Sequence, residues 1–273
     1  MTTKTARTLG LAVAAIAIIQ ASASAGAMTL EEAKAAGKVR IGIQADNCPW
    51  GCLSTTGEAR GFDATVGRAF AKSLGLEAEF VPLAVANRIP ALTSNRVDML
   101  IASVGITAER AKAVQFSPPY AANTLYLTAA KTTKLPDLAS LSGITVGVPR
   151  SAPMDTILTR DAPSADIRRF DDDSANIQAL LSGQVQAVGS NQFYIQRLDS
   201  ASSGTYENKF PIGQLYQGVA TRLGESDWNS AMTEFLKSYV GSEGYKASYA
   251  EWLKVPTADL PATIDGVSFI VSQ

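Results

Sequence analysis

The stretch IPALTSNRVDMLIAS, residues 89–103, occurs a second time as IQALLSGQVQAVGSN, residues 177–191. The two copies share isoleucine, alanine-leucine, serine and valine in the same register. A second pair, VRIGIQADN at 39–47 and ITVGVPRSA at 144–152, repeats an apolar pattern around a glycine before a polar turn. Each copy has the pattern of a buried strand that ends in a turn, so the repeat predicts two related lobes.

Strands and helices alternate around these repeats, which predicts the α/β class. Apolar residues with helical spacing occupy 62–74, and β-rich apolar runs occupy 39–44 and 97–102. This order predicts a mostly parallel sheet with right-handed crossovers in each lobe. The prolines Pro118 and Pro119 are expected to end the first lobe, because proline is excluded from helix interiors and central strands.

The predicted organisation has a leader and two lobes. Residues 1–27 combine a basic start, an apolar run and small-x-small cleavage sites, which is the layout of a secretory signal peptide. A membrane anchor is the alternative, but the run is shorter than the roughly 20 apolar residues of a spanning helix. Lobe 1 is expected to comprise 28–121 and 217–273, and lobe 2 to comprise 122–216. Two crossings between the lobes form a hinge beside a cleft, and such clefts are favoured ligand sites.

The composition excludes several classes of function. The formal net charge is −1, and no stripe of lysine or arginine points to nucleic acid. The chain contains no histidine, which excludes a Ser-His-Asp triad and any histidine-containing zinc site. No cofactor and no metal are expected. Cys48 and Cys52, in CPWGC, are expected to form a small disulfide loop in an exported chain, with two free thiols as the alternative.

Four segments carry a family resemblance. They are GFDATVGRAFAKSLGLEAEF at 61–80, ANRIPALTSNRVDMLIASVGITAERAKAVQFSPPY at 86–120, SGITVGVPRSA at 142–152 and RRFDDDSANIQALLSGQVQAV at 168–188. Over about residues 37–253 the chain resembles the extracellular solute-binding proteins of family 3, the periplasmic receptors of polar amino-acid ABC importers. The resemblance implies the type II periplasmic binding protein fold, with two lobes joined by a two-strand hinge. It also implies a periplasmic receptor that delivers a small polar carboxylate, an amino acid, to a membrane permease.

The resemblance implies a site for the ligand's α-carboxylate. Family members hold this group with the arginine of the IT-x-E-R motif, which is Arg110 here, and a guanidinium binds a carboxylate bidentately. Ser103 and Gly105 stand where the family supplies backbone N–H and hydroxyl groups to the same carboxylate. Gly105 replaces the usual threonine or serine, so one hydroxyl is absent.

Further ligand contacts are expected from the first lobe. Trp50 stands where the family has an aromatic residue after a proline, and its alternative role is packing under the turn. Asn47 replaces the family's other aromatic residue. Arg88, in NRIP, resembles the arginine of acidic amino-acid receptors, which reaches a ligand side-chain carboxylate; its alternative role is to brace its own lobe.

The second lobe departs from the family pattern at Asn191. Family members usually place Asp or Glu there to pair with the ligand's ammonium, and an amide brings no charge. The repeat makes Asn191 equivalent to Ser103, so it is still expected in the cleft. The change suggests an alternative ligand, either an amine-modified amino acid or another small organic anion.

Two other classes of function remain as alternatives. Cyclohexadienyl dehydratases resemble these receptors and use a cleft carboxylate as acid, for which Asp46 is the candidate here. A sensory domain that acts through a membrane partner is the second alternative. The expected receptor is a monomer that does not itself span the membrane.

Overall fold

The computed structural model describes residues 26–271, so the predicted signal peptide lies outside the described residues except for its last two positions. The described residues form an eight-stranded sheet and a small three-stranded sheet. The strands are β1 (Lys38–Gln44), β2 (Asp46–Asn47), β3 (Gly51–Leu53), β4 (Ala59–Arg60), β5 (Glu77–Leu83), β6 (Met99–Leu100), β7 (Val114–Ala130), β8 (Thr145–Pro149), β9 (Asp166–Phe170), β10 (Ala187–Asn191) and β11 (Tyr206–Arg222). The helices are α1 (Leu30–Ala36), α2 (Phe62–Ser73), α3 (Arg88–Thr93), α4 (Pro153–Asp161), α5 (Asp173–Leu181), α6 (Tyr194–Ala201), α7 (Ser226–Tyr239) and α8 (Glu243–Trp252).

The large sheet has the strand order β5-β1-β6-β11-β7-β10-β8-β9. Strand β1 pairs in parallel with β5 and β6, and β8 pairs in parallel with β9 and β10. The central strands β7 and β11 are antiparallel and pair over nearly their whole length of 17 residues. The predicted fold class is confirmed: two α/β lobes, each with a mostly parallel sheet, are joined by two long strands.

The expectation that Pro118 and Pro119 cannot lie inside a central strand is wrong, because both lie inside β7. Strand β10 pairs only with residues 125–129 of β7, so on that side the prolines face no ladder that needs their missing N–H. On the other side the register with β11 shifts around Gly218, which lies opposite Pro119. The Val219 N–H donates instead to the Ser117 hydroxyl at 3.0 Å. A local irregularity therefore accommodates two prolines near the middle of the sheet.

Short polar segments start the helices that border the cleft. Helix α5 begins at the last of three consecutive aspartates, and the Asp172 carboxylate caps it by accepting the Ala175 N–H at 2.7 Å. Helix α2 starts after Gly61, which has a φ of 107°. A Cβ atom at Gly61 would lie 2.4 Å from the Trp50 carbonyl oxygen, so only glycine fits between this helix and the CPWGC turn.

Each lobe buries its own apolar residues. In the first lobe α2, α7 and α8 pack an aromatic cluster that includes Phe62, Phe70, Trp228 and Tyr245. In the second lobe α4 and α5 cover the faces of β8 and β10. The apolar faces of α7 and α8 also belong to this core. These cores hold the strand ends of each lobe in fixed positions beside the cleft.

Candidate ligand site between the lobes

A cavity of about 360 Å3 lies between the two lobes, at the carboxyl ends of β1 and β10. Its lining comes from both lobes and from both long central strands. The lining residues are Gln44, Asn47, Val85, Arg88, Ser103, Gly105, Asn123, Leu125, Ala152, Pro153, Met154, Asp173, Asn191, Leu215 and Gln217. The structure thus places the repeat-equivalent pairs Ser103 with Asn191, and Asn47 with Ala152, around one space.

The Arg88 guanidinium is buried beside the cavity and holds the backbone of its own lobe. Nη1 donates to the carbonyl oxygens of Ala102 at 2.6 Å and Ser103 at 2.9 Å, and Nε donates to that of Val85 at 3.2 Å. Burial lowers the pKa of Arg88, while the nearby Asp173 carboxylate raises it. Arg88 therefore braces the turn after β6, the alternative role named above, and still faces the cavity.

The Arg110 guanidinium reaches across to the second lobe. Nη1 donates to the Gly105 carbonyl at 2.9 Å, and Nη2 donates to the Ser151 carbonyl at 2.7 Å. Arg110 does not line the cavity of about 360 Å3; it lines a neighbouring cavity of about 450 Å3 whose wall also includes Arg88. Burial, with a smaller contribution from Arg88, lowers the pKa of Arg110. Two guanidinium groups thus stand beside each other at one end of the cleft.

Two serines at the cleft adopt the left-handed backbone conformation. The φ of Ser103 is 52° and that of Ser151 is 63°, values that residues other than glycine seldom adopt. The Ser103 turn is held from below by Asp63, whose buried carboxylate accepts the Tyr120 hydroxyl at 2.8 Å and the Ser103 N–H. Burial raises the pKa of Asp63 to about 7. Such unusual backbone geometry is common at binding sites.

Leu215 explains why a glycine fits at position 105. A Cβ atom at Gly105 would lie 2.8 Å from Leu215 Cδ1 and 3.5 Å from Arg110 Nη1. The side chain of Leu215 comes from β11 and fills the space that a serine or threonine would use. The Leu215 side chain therefore occupies the volume that a hydroxyl-bearing side chain at position 105 would need.

Hydrogen bonds join the lobes around the cavity. The Asn191 amide donates from Nδ2 to Asn47 Oδ1 at 2.9 Å, with both side chains buried. The Asp46 carboxylate accepts the Ser174 N–H at 2.8 Å. Asn191 Oδ1 also accepts the Phe193 N–H at 2.9 Å, just before α6. Both polar atoms of the Asn191 amide thus take part in holding backbone and lobes together.

The Trp50 side chain does not line the cavity. It is 0% exposed and packs edge-on against Phe62 and Phe193, with ring centroids 6.1 and 5.7 Å apart. The Cys48–Cys52 disulfide closes the turn around it, as the composition predicted. The side chain lies under the turn, which is the alternative role named in the sequence analysis.

Sequence reasoning named Asp46 as the cleft acid and missed Asp173. The Asp173 side chain is 4% exposed and lines the cavity, where its carboxylate accepts hydrogen bonds from Gln44 Nε2 and the Tyr194 hydroxyl. Burial, with a contribution from Asp46, raises the pKa of Asp173 to about 6. The available signal was the run of three aspartates at the start of α5, since a helix needs only one as its cap.

Two amides on the central strands were also missed. Asn123, on β7, and Gln217, on β11, line the cavity and are 5% and 1% exposed. Within residues 26–271, Asn123 Oδ1 and Gln217 Oε1 have no hydrogen-bond partner. A buried acceptor without a partner is costly, so these oxygens are suited to a ligand's donors.

No group of three or more histidine, cysteine, aspartate or glutamate side chains within 26–271 is placed to hold a metal ion. No helix of that part of the chain is both long and apolar enough to cross a membrane.

Comparisons with known proteins agree with this geometry. The profile of the bacterial extracellular solute-binding proteins, family 3, matches residues 39–255. The L-cystine-binding protein TcyJ of Escherichia coli K12 is 26% identical over 250 residues, which cover 89% of this chain and 92% of that protein. The solute receptor for L-cysteine of Neisseria gonorrhoeae has a TM-score of 0.78 at 26% identity, covering 82% of this chain and 93% of the other. The ancestral amino acid-binding protein AncCDT-1, a precursor of cyclohexadienyl dehydratase, has a TM-score of 0.74 at 26% identity, covering 81% and 98%.

Proposed function

The chain belongs to the bacterial extracellular solute-binding proteins of family 3, and on that premise we propose that it captures a small polar amino acid and delivers it to an ABC importer. The observation that carries the proposal is the cavity of about 360 Å3, enclosed by two lobes and lined by buried polar groups. Clefts between two domains are favoured small-molecule sites. Relatives named for L-cystine and L-cysteine support an amino-acid cargo.

Capture follows from closure of the two lobes. We propose that lobe 1 comprises 28–121 and 217–273, and that lobe 2 comprises 122–216, with β7 and β11 as the hinge. Bonds such as Asn191 to Asn47 form only when the lobes meet. A ligand favours this closed form when it binds there more tightly than to the open form. The permease then receives a closed, loaded receptor.

The carboxylate end of the ligand is assigned to the two-arginine end of the cleft. Arg110 supplies the guanidinium, while Ser103 and Gly105 supply backbone and hydroxyl groups from the turn after β6. Support comes from the positions of these groups around the cleft and from the positive field of Arg110 and Arg88. Asn47 and Asn191 position the lobes and border the ligand. Trp50 contributes to the site indirectly, because it packs under the turn that carries Asn47.

The remaining properties are proposed from the family and the composition. The protein is exported through its first 27 residues, works in the periplasm as a monomer, and binds no nucleic acid. It is proposed to be a receptor and not an enzyme. The dehydratase alternative has one observation in its favour, the buried acid Asp173, together with the resemblance to AncCDT-1. Turnover of a cyclohexadienyl substrate by the purified protein would decide for that alternative.

The test is a thermal-shift screen of the purified exported protein after unfolding and refolding to remove bound solute. The panel contains the free L-amino acids, L-cystine, amine-blocked amino acids and dicarboxylates. A ligand at a hundred times its dissociation constant adds about 2.7 kcal/mol of stability. That corresponds to a rise in melting temperature of roughly 5–10 °C for a protein of this size. No response to any free amino acid would refute the proposal.

A pair of variants tests the carboxylate site. Arg110→Ala is expected to lower the affinity for the responding amino acid about 10- to 100-fold, because a charge-assisted bond is lost. Arg150→Ala is the matched control, since Arg150 is exposed and pairs with Asp171. Equal affinity losses in the two variants would refute the role assigned to Arg110.

A further inference from the structure

We propose that the ligand's ammonium group binds Asp173, with the amide oxygens of Asn123 and Gln217 as neutral acceptors, and not position 191. This inference rests on the proposed function and names a site within it. The family's acid at position 191 is an asparagine here, and its amide is committed to Asn47 and to the Phe193 N–H. The cavity therefore needs another source of negative charge if its cargo is an ordinary amino acid.

Asp173 lines the cavity, and its carboxylate oxygens can accept further hydrogen bonds. The neighbouring Asp172 already caps α5, and Asp171 is exposed, so the three aspartates face a helix end, the solvent and the cavity separately. The hydrogen-bond donors to Asp173, Gln44 Nε2 and the Tyr194 hydroxyl, are both neutral. Each carboxylate oxygen has one such donor and can accept another.

Two arginines, Arg88 and Arg197, act on the Asp173 carboxylate through space without forming an ion pair with it in the described part of the chain. The charged and titratable groups around it are Asp46 and Arg88 from the first lobe and Tyr194 and Arg197 from α6. Arg88 donates to three backbone carbonyls, and Arg197 lies over the Tyr194 ring at 5.2 Å. A buried carboxylate in this setting favours a cationic ligand group.

The amide oxygens on the central strands are a second, independent observation. Asn123 Oδ1 and Gln217 Oε1 are buried, line the same cavity, and have no partner in the described part of the chain. An ammonium group has three N–H donors, and one carboxylate with two amide oxygens offers a matching set of acceptors. The acceptors and the arginines together give the cleft one negative and one positive end, as a zwitterion requires.

The test compares an amino acid with the 2-hydroxy acid of the same side chain, since the pair differs only in the ammonium group. The probes are L-glutamine, L-arginine and L-cysteine with their 2-hydroxy acids, measured by calorimetry. The wild-type protein is expected to prefer at least one amino acid over its hydroxy acid by roughly 100-fold. Asp173→Asn, a neutral isostere, is expected to reduce that preference to less than about tenfold, with the melting temperature of the free protein maintained or raised.

Asp46→Asn is the matched control. Asp46 is a carboxylate at the same lobe junction, but it accepts the Ser174 N–H and does not line the cavity. Removing the Asp46 charge is expected to lower the affinity for the amino acid and for its hydroxy acid by the same factor, so the preference between them stays unchanged. A preference that survives in Asp173→Asn, or that is absent in a wild-type protein that binds amino acids, would overturn the inference alone. A wild-type protein that binds no amino acid would instead remove the proposed function.

Discussion

The burial of Trp50 in the core predicts that replacing it strongly destabilises the folded protein. Its side chain is 0% exposed and packs between Phe62 and Phe193. Replacing a buried tryptophan with alanine costs about 3–5 kcal/mol of the free energy of unfolding. At about 2–4 °C per kcal/mol, Trp50→Ala is expected to lower the melting temperature by roughly 6–20 °C.

A second substitution refines this prediction. The Trp50 Nε1–H is buried without a partner in the described residues. Trp50→Phe removes that donor together with part of the ring, so the desolvation cost of about 1–3 kcal/mol disappears and partly offsets the lost packing. We therefore expect Trp50→Phe to be clearly less destabilising than Trp50→Ala.

The assay is urea unfolding followed by circular dichroism, because tryptophan fluorescence changes with the substitution itself. Trp252→Ala is the control, since Trp252 is only partly buried and donates to Thr65 at 3.1 Å. Its expected loss of stability is smaller. The affinity for the amino acid found in the screen, measured well below the melting temperature, is expected to change little in Trp50→Ala. Unchanged stability combined with lost binding would refute the core role and favour a stacking wall.

Three more predictions concern the cleft. Gly105→Ser is expected to cost about 1–2 kcal/mol of stability through overpacking, and Leu215→Ala in the same chain is expected to recover part of it, as measured by melting temperature. A double-mutant cycle of Asn47→Ala and Asn191→Ala, measured as ligand affinity, is expected to show a coupling of about 1 kcal/mol, because the hydrogen bond between them joins the lobes. Amino-acid affinity is expected to fall as the pH is lowered below about 6, by at most tenfold per pH unit. The reason is that the pKa of Asp173 is about 6, and its carboxyl group must be ionised to pair with the ligand's ammonium.

Each of these has an outcome that contradicts it. A Leu215→Ala substitution that adds its own loss to that of Gly105→Ser would show that the two side chains do not compete for space. Strictly additive effects at Asn47 and Asn191 would show that their amides do not meet in solution. The same pH dependence in Asp173→Asn as in the wild-type protein would assign the titration to another group.

Much of the fold was predictable because its signals are local. The apolar runs before Gln44 and Asn191 mark buried strands, and chain direction puts their ends at one edge of a parallel sheet. The repeat therefore placed Ser103, Asn47 and Asn191 near each other without any knowledge of the packing. The strand through Pro118 was not predictable, because it depends on which neighbours β7 has at that point.

The sequence by itself determined the α/β class, the two lobes and the strand ends that meet at the cleft. Only the tertiary structure decided which side chains turn toward the ligand. Asp173 reaches the cavity because Gln44, 129 positions away in the chain, and Tyr194 hold its carboxylate there. Trp50 is turned into the core because Phe62 and Phe193 close around it. Such contacts join residues that are remote in the chain, and no local period or spacing records them.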